Sequence, residues 1–336
     1  MNRFVPKAVA AVLACAVGAT ASAQTAPTIY GLLDMSAGRF QEPGSAHVLR
    51  AESGRMSLSY LGFRGSDDLG GGLRARFGLE SYLRADEGAA GRSAADAFWS
   101  RTAYVGLQGS FGTSLLGRLP TPLWVSTRLF NPFGDSVGFS PSIRQTFGTA
   151  ILGDSRWNNS VAFTSPEVEN GLSYSVQFNA GEGNVGATGR NVGANAIYTS
   201  GPLSATLAWQ RVRNSALPLP AGFDHQVTYQ VGISYELRML RLYGQAGSVK
   251  TRAAPDVKTT LYQLGAVAPI GLGFLMASYG HANSEAAANN AIRKTFSLGY
   301  DYFLSKSTDL YAVLMSERAS GLSSANTAAA GVRLRF

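Results

Sequence analysis

The residues of this chain best able to do chemistry are arginines set at alternate positions. That chemistry is the sorting of solutes by charge, with no bond made or broken. In residues 73–82, Leu73, Ala75, Phe77 and Leu79 share one face, so Arg74, Arg76 and Glu80 share the other. Leu61 and Phe63 likewise oppose Tyr60, Gly62 and Arg64. Residues 120–158 form the longest stretch without alternation, and they carry Arg128, Arg144 and Arg156 against Asp135 and Asp154. A structureless segment of that size counts against a compact domain unless it has a function.

Other chemistries find little support. Cys15 is the single cysteine and lies in the N-terminal segment, so disulfides, thiolate zinc sites and thiol nucleophiles are excluded downstream of it. His47, His225 and His281 fall in or beside three different loops, which makes a metal site unexpected. Residues 181–186 match GxGxxG without a surrounding βαβ unit and read as a flexible loop, while Gly70-Gly71-Gly72 reads as a turn. A hydrolase, the enzyme alternative, needs Ser, His and an acid within reach of one another, and the three histidines are scattered over different loops. No cofactor is expected.

The elements that must position these arginines begin after an export signal. Arg3 and Lys7, the apolar run 8–19 and Ala21-Ser22-Ala23 make residues 1–23 a signal peptide, leaving 24–336 as one mature unit. A lipoprotein signal around 12–15 fits less well, because it would cut the apolar region short. Removing Arg3 and Lys7 takes the net charge from +8 to +6, and export makes nucleic acid an unexpected partner. Charge of 15% is thin for a soluble surface. Yet mean hydropathy of +0.01 is too low for a helical membrane bundle.

Period-two alternation resolves that conflict. Val227, Tyr229, Val231, Ile233 and Tyr235 alternate with Gln226, Thr228, Gln230, Gly232, Ser234 and Glu236; residues 172–179 and 295–303 repeat the pattern. Sixteen such segments are predicted, at 28–38, 57–65, 73–82, 100–109, 113–119, 159–165, 172–179, 192–199, 203–212, 227–236, 241–249, 259–268, 273–280, 293–303, 309–316 and 328–336. Connections alternate short and long, the long ones near 39–56, 83–99, 120–158, 180–191, 213–226, 250–258, 281–292 and 317–327. The pattern predicts an all-β fold, a 16-stranded antiparallel transmembrane β-barrel with apolar residues outward. A lumen of that size is too wide for side chains to fill and holds water.

Six segments carry a family resemblance. They are Ile29-Tyr30-Gly31-Leu32-Leu33-Asp34, the run from Leu61 to Leu73, Arg101-Thr102-Ala103-Tyr104-Val105-Gly106-Leu107, Gly117-Arg118, Arg156-Trp157-Asn158-Asn159-Ser160-Val161 and the ending Gly331-Val332-Arg333-Leu334-Arg335-Phe336. In this order the mature chain resembles the Gram-negative general porins of the neisserial and β-proteobacterial type. The resemblance implies a homotrimer in the outer membrane and barrel-assembly machinery that reads the terminal strand at Val332, Leu334 and Phe336. It also implies that the third loop, 120–158, folds into the lumen as a constriction, with Arg118 in a basic cluster on the facing wall.

The constriction expected on this basis comprises Tyr60, Arg64, Arg74, Arg76, Glu80 and Arg118 on the wall, with Arg128, Asp135, Arg144, Asp154 and Arg156 on the loop. Tyr60 stands where the family usually has Arg, and Arg76 is a candidate to replace that charge. Wall and loop lean positive, so the expected activity is passive diffusion of small hydrophilic solutes and ions with mild preference for anions. The alternative is a substrate-specific channel for a small anionic solute. Outward aromatics such as Trp209, Tyr229 and Tyr300 suit membrane girdles, and few aromatics are expected on lumen faces. Outer-membrane lipid surrounds such a barrel, and lipopolysaccharide is expected to meet Lys250, Arg252 and Lys258 in outer loops.

Overall fold

The computed structural model describes residues 26–166, 170–181, 190–215, 218–287 and 289–336. The signal at 1–23 and most of the GxGxxG run lie outside them. Among the described residues there are eighteen strand segments. They are Thr28–Phe40 (β1), Val48–Ser53 (β2), Tyr60–Gly70 (β3), Leu73–Arg84 (β4), Ala89–Ala90 (β5), Thr102–Gly109 (β6), Gly112–Pro120 (β7), Arg156–Thr164 (β8) and Gly171–Asn179 (β9). Asn191–Ser200 (β10), Leu203–Val212 (β11), His225–Leu237 (β12), Leu240–Arg252 (β13), Val257–Ile270 (β14), Gly273–Ala286 (β15), Asn289–Phe303 (β16), Thr308–Ala319 (β17) and Ala325–Arg335 (β18) follow.

Neighbours in sequence pair antiparallel, and β1 closes the sheet on β18 from Leu32↔Arg335 to Arg39↔Ala328. The staves number sixteen, as the alternation predicts: β2 and β3 pair with successive halves of β1 and form one interrupted stave, and β5 pairs only with β4. Closure leaves no sheet edge to be satisfied by water, which is why such a sheet survives in lipid.

Burial is inverted relative to a soluble barrel. Val231 is 50% exposed while Gln230 beside it is 6% exposed. The apolar set faces outward, and the polar set lines the interior. Short turns close one end: Gly70, Gly71 and Gly72 all have positive φ, and Asp68 Oδ1 accepts a 3.0 Å bond from the Gly70 amide. At the other end the strands run longer than the alternation indicates, because exposed polar residues there still pair. The connections expected near 250–258, 281–292 and 317–327 shrink accordingly. Lys250, Arg252 and Lys258 sit on β13 and β14, and not in loops.

Two segments fold into the barrel. Residues 121–155 carry helix Pro122–Leu129 (α1), helix Pro141–Gln145 (α2) and a π-helical turn at Thr146–Ala150. Thr121 and Ser140 cap the two helices, each followed by Pro at the first position. Polar wall residues hold the loop by its backbone. Gln245 Nε2 donates to Thr127 O at 3.0 Å and Phe130 O at 2.7 Å, Gln226 Nε2 to Ala150 O at 2.9 Å, and Ser297 Oγ to Phe139 O at 2.7 Å. Apolar patches around Phe133 and Phe139, and around Leu123 and Ile151, seal the contact. The loop therefore covers the wall from β10 to β17.

The second inward segment is the break between β2 and β3. Asp34 Oδ2 accepts from the amides of Met56 at 2.7 Å and Ser57 at 2.9 Å, and Gly54 turns with φ +75. Met56 then packs beside Phe133 and Phe139 of the loop.

Candidate pore constriction

The uncovered wall, on β1, β3, β4 and β6, bears a column of tyrosines and guanidiniums. Alternation places Tyr30 and Asp34 on the inner face of β1, Tyr60, Gly62 and Arg64 on β3, and Arg74, Arg76, Glu80 and Tyr82 on β4, as the registers show. The Arg64 guanidinium lies 4.6 Å from the Tyr30 ring centre and that of Arg101 3.8 Å from Tyr60. Tyr82 receives Arg92 at 5.5 Å and Arg156 at 5.1 Å. Glu80 accepts from Tyr30 Oη and pairs with Arg101. Lumen aromatics are thus numerous, contrary to expectation, because Tyr is polar enough at one end to occupy the wet face.

Above this column the second long loop meets the third. Arg92 grips Asp154 through two bonds, 2.9 and 3.0 Å, and Asp96 through two more. Arg118 reaches Asp154 at 3.4 Å, Asn158 Oδ1 at 2.6 Å and Ser100 O at 2.6 Å. Burial works to raise the Asp154 pKa, but the bonds and charge of Arg92, with the charge of Arg118, outweigh it and hold the carboxyl at about 2. Burial opposes the Arg92 charge too, yet Asp96 and Asp154 raise its pKa.

The sequence-predicted residues do not form one ring. Tyr60, Glu80, Arg118, Asp154 and Arg156 converge. Arg156 belongs to β8 and not to the loop, because its backbone pairs with Pro120. Its side chain is 6% exposed, lies between the Tyr82 and Trp124 rings, and leaves Nε without a partner. Arg64 stands nearer the short turns. Arg76 lies at the Ser66 rung, six residues along β3 from Tyr60, and donates to Gln108 at 3.1 Å; Arg74 lies lower still. Neither can supply charge at Tyr60, and Arg101 does so instead. On the far side Arg144 pairs with Glu317 at 2.8 Å and Glu42 at 2.7 Å. Asp135 accepts from Ser57 Oγ at 3.2 Å, tying the loop to the broken stave. Arg128 is exposed on α1.

Arg92 escapes the sequence reading because it lies in a connection without a period. Arg101 falls in the alternating run 100–109 but at the parity of Ala103, Val105 and Leu107, the outward set; β6 begins only at Thr102, so its side chain is not bound to that face. Cavities of about 420 Å³ and about 530 Å³ flank the narrow zone, lined by Arg92, Asp154 and Arg144 on the long-loop side and by Asp135, Asp301 and Arg333 on the short-turn side.

The chain has relatives over nearly its whole length. A family model described as Gram-negative porin matches residues 8–322. Outer membrane porin protein 32 of Delftia acidovorans is 31% identical over 97% of this chain and 95% of its own length. An outer membrane porin protein of Bordetella pertussis is 28% identical over 97% of each chain. The solved structure of an anion-selective porin from Comamonas acidovorans superposes with a TM-score of 0.79 at 26% identity, covering 92% of this chain and 99% of that one.

Proposed function

The chain belongs to the Gram-negative porin family, and from that premise we propose that its outer-membrane diffusion channel prefers anions through the constriction formed by Tyr60, Glu80, Arg101, Arg118, Asp154 and Arg156. A porin is a channel and not an enzyme, so the hydrolase alternative falls away.

One observation carries the anion preference. Most carboxylates about the constriction are matched by arginines, Glu80 by Arg101, Asp154 by Arg92 and Arg118, Glu317 by Arg144 and Arg293, while Asp34 and Asp135 accept from amide, Tyr and Ser donors instead. Arg64, Arg74, Arg76, Arg128 and Arg156 have no carboxylate partner among the described residues and outnumber Asp34 and Asp135, so the surplus field in the water path is positive. The anion-selective relative accords with this reading. The test is a reversal potential across a planar bilayer in a potassium chloride gradient. A cation-selective sign overturns the proposal.

The remaining partners follow from the same premise. The family resemblance supports three copies per assembly. Residues 1–23 are the cleaved export signal, and Val332, Leu334 and Phe336, outward on the last strand, are what the assembly machinery reads. Lys250 and Lys258 are register partners on adjacent strands and both are exposed, which suits contact with lipopolysaccharide phosphates.

A further inference from the structure

The lumen wall carries more than charge. Arg64 is exposed, has no carboxylate partner among the described residues, and holds its guanidinium carbon over the Tyr30 ring, 4.6 Å from the centre. Its neighbour across the β3–β4 pair is Gly78, where an added Cβ would lie 2.6 Å from the Tyr104 ring. Gly62, two residues before Arg64, is covered in the same way by the Tyr30 ring, with the added Cβ 2.9 Å away. Both glycines thus leave room for a tyrosine ring against the wall, one on the β1 side of Arg64 and one on the β6 side.

A guanidinium over one ring and exposed to water has a second face and N–H groups left to offer a solute. An anion with a planar π system can use both, accepting paired hydrogen bonds through its carboxylate or stacking on the open face. A chloride ion can use only the charge, and an aliphatic carboxylate only the charge and the N–H edge, so the open face is what distinguishes an aromatic acid. Arg101 does not offer the same surface, because Glu80 already occupies its edge. Resting on the channel reading above, we propose that Arg64, flanked by Tyr30 and Tyr104, is a binding step for monocyclic aromatic carboxylates, which this channel passes in preference to non-aromatic carboxylates of the same size and charge.

The experiment compares potassium benzoate with potassium cyclohexanecarboxylate, two ring acids that differ in their π face. Reversal potentials across bilayers holding the purified protein give each permeability relative to potassium. Wild type is expected to favour benzoate about three-fold, the size of an exposed cation–π contact. The Arg64→Lys variant keeps the charge and loses the flat face, and Tyr104→Leu removes a flanking ring; each is expected to bring the ratio close to one. A wild-type ratio of one, or a three-fold ratio that survives in both variants, overturns the proposal and leaves the rings as covers for Gly62 and Gly78. Conductance in potassium chloride keeps the two readings apart. Protein that inserts without conducting fails as a channel, whereas protein that conducts with a ratio of one fails only here.

Discussion

Asp154 decides how much of the basic cluster the water path feels. It absorbs charge from Arg92 and Arg118, so Asp154→Asn adds one uncompensated positive charge at the constriction. At ~7 Å in water that is about 0.6 kcal/mol in favour of chloride and as much against potassium, so the chloride-to-potassium permeability ratio should rise roughly seven-fold. The pH dependence has a defined sign. A carboxyl depressed from 3.8 to about 2 is fully effective above its ordinary value and loses effect only as pH falls through its own. The difference between wild type and Asp154→Asn should therefore stay constant from pH 7 to pH 4 in the same reversal-potential measurement and vanish below about pH 2. Arg156 makes the opposite case. It is buried with an unpartnered Nε and no carboxylate of its own, so Arg156→Met should raise thermal stability while lowering anion preference. Heat-dependent gel mobility and reversal potential, measured together, check both halves.

Among the elements, the broken second stave bears most on the channel. Asp34 fixes it: the Met56 and Ser57 amides and Tyr311 Oη all donate to its carboxylate. Asp34→Ala removes hydrogen bonds to a charged acceptor and should cost on the order of 3 kcal/mol, read as a lower thermal transition of the detergent-solubilised barrel. Released residues 54–59 would also free the Ser57–Asp135 tether, so single-channel current noise should increase. Asp34 was visible in the sequence only as the end of the run Ile29-Tyr30-Gly31-Leu32-Leu33-Asp34; the structure puts it on the inner face, fully buried. Its role was not visible there, because the segment it holds is twenty residues away and has no period of its own. The third loop was legible as the longest connection, but its two helices, capped by Thr121 and Ser140, were not read from the sequence. Which wall it would cover was not, since that depends on Gln226, Gln245 and Ser297 from three distant strands.

At the scale of the whole barrel, closure depends on the last residue and selectivity on salt. The backbone of Phe336 exchanges bonds of 3.0 and 3.2 Å with Gly31, and the side chain of Phe336 covers Gly31 where a Cβ would collide at 2.6 Å. Deleting Phe336 removes this clasp and should lower the amount of heat-stable protein in the outer membrane; wild-type levels would count against it. The positive lumen field is screened over ~10 Å at 0.1 M salt and ~3 Å at 1 M, so the chloride preference should shrink toward unity across that range. A preference unchanged by salt would point to direct ligation of chloride instead. Alternation alone was enough to specify the barrel, its sixteen staves and which face of each meets water, because a period of two is a local property that every strand states independently. Which charges meet was settled only by folding. Arg92 and Asp154 come from segments without a period, the period would turn Arg101 outward with Ala103 and Val105, and Arg74 and Arg76 share a face with Glu80 at different heights. Whether an arginine reaches the constriction is fixed by register and by the path of the inward loop, both of them relations between residues remote in the chain.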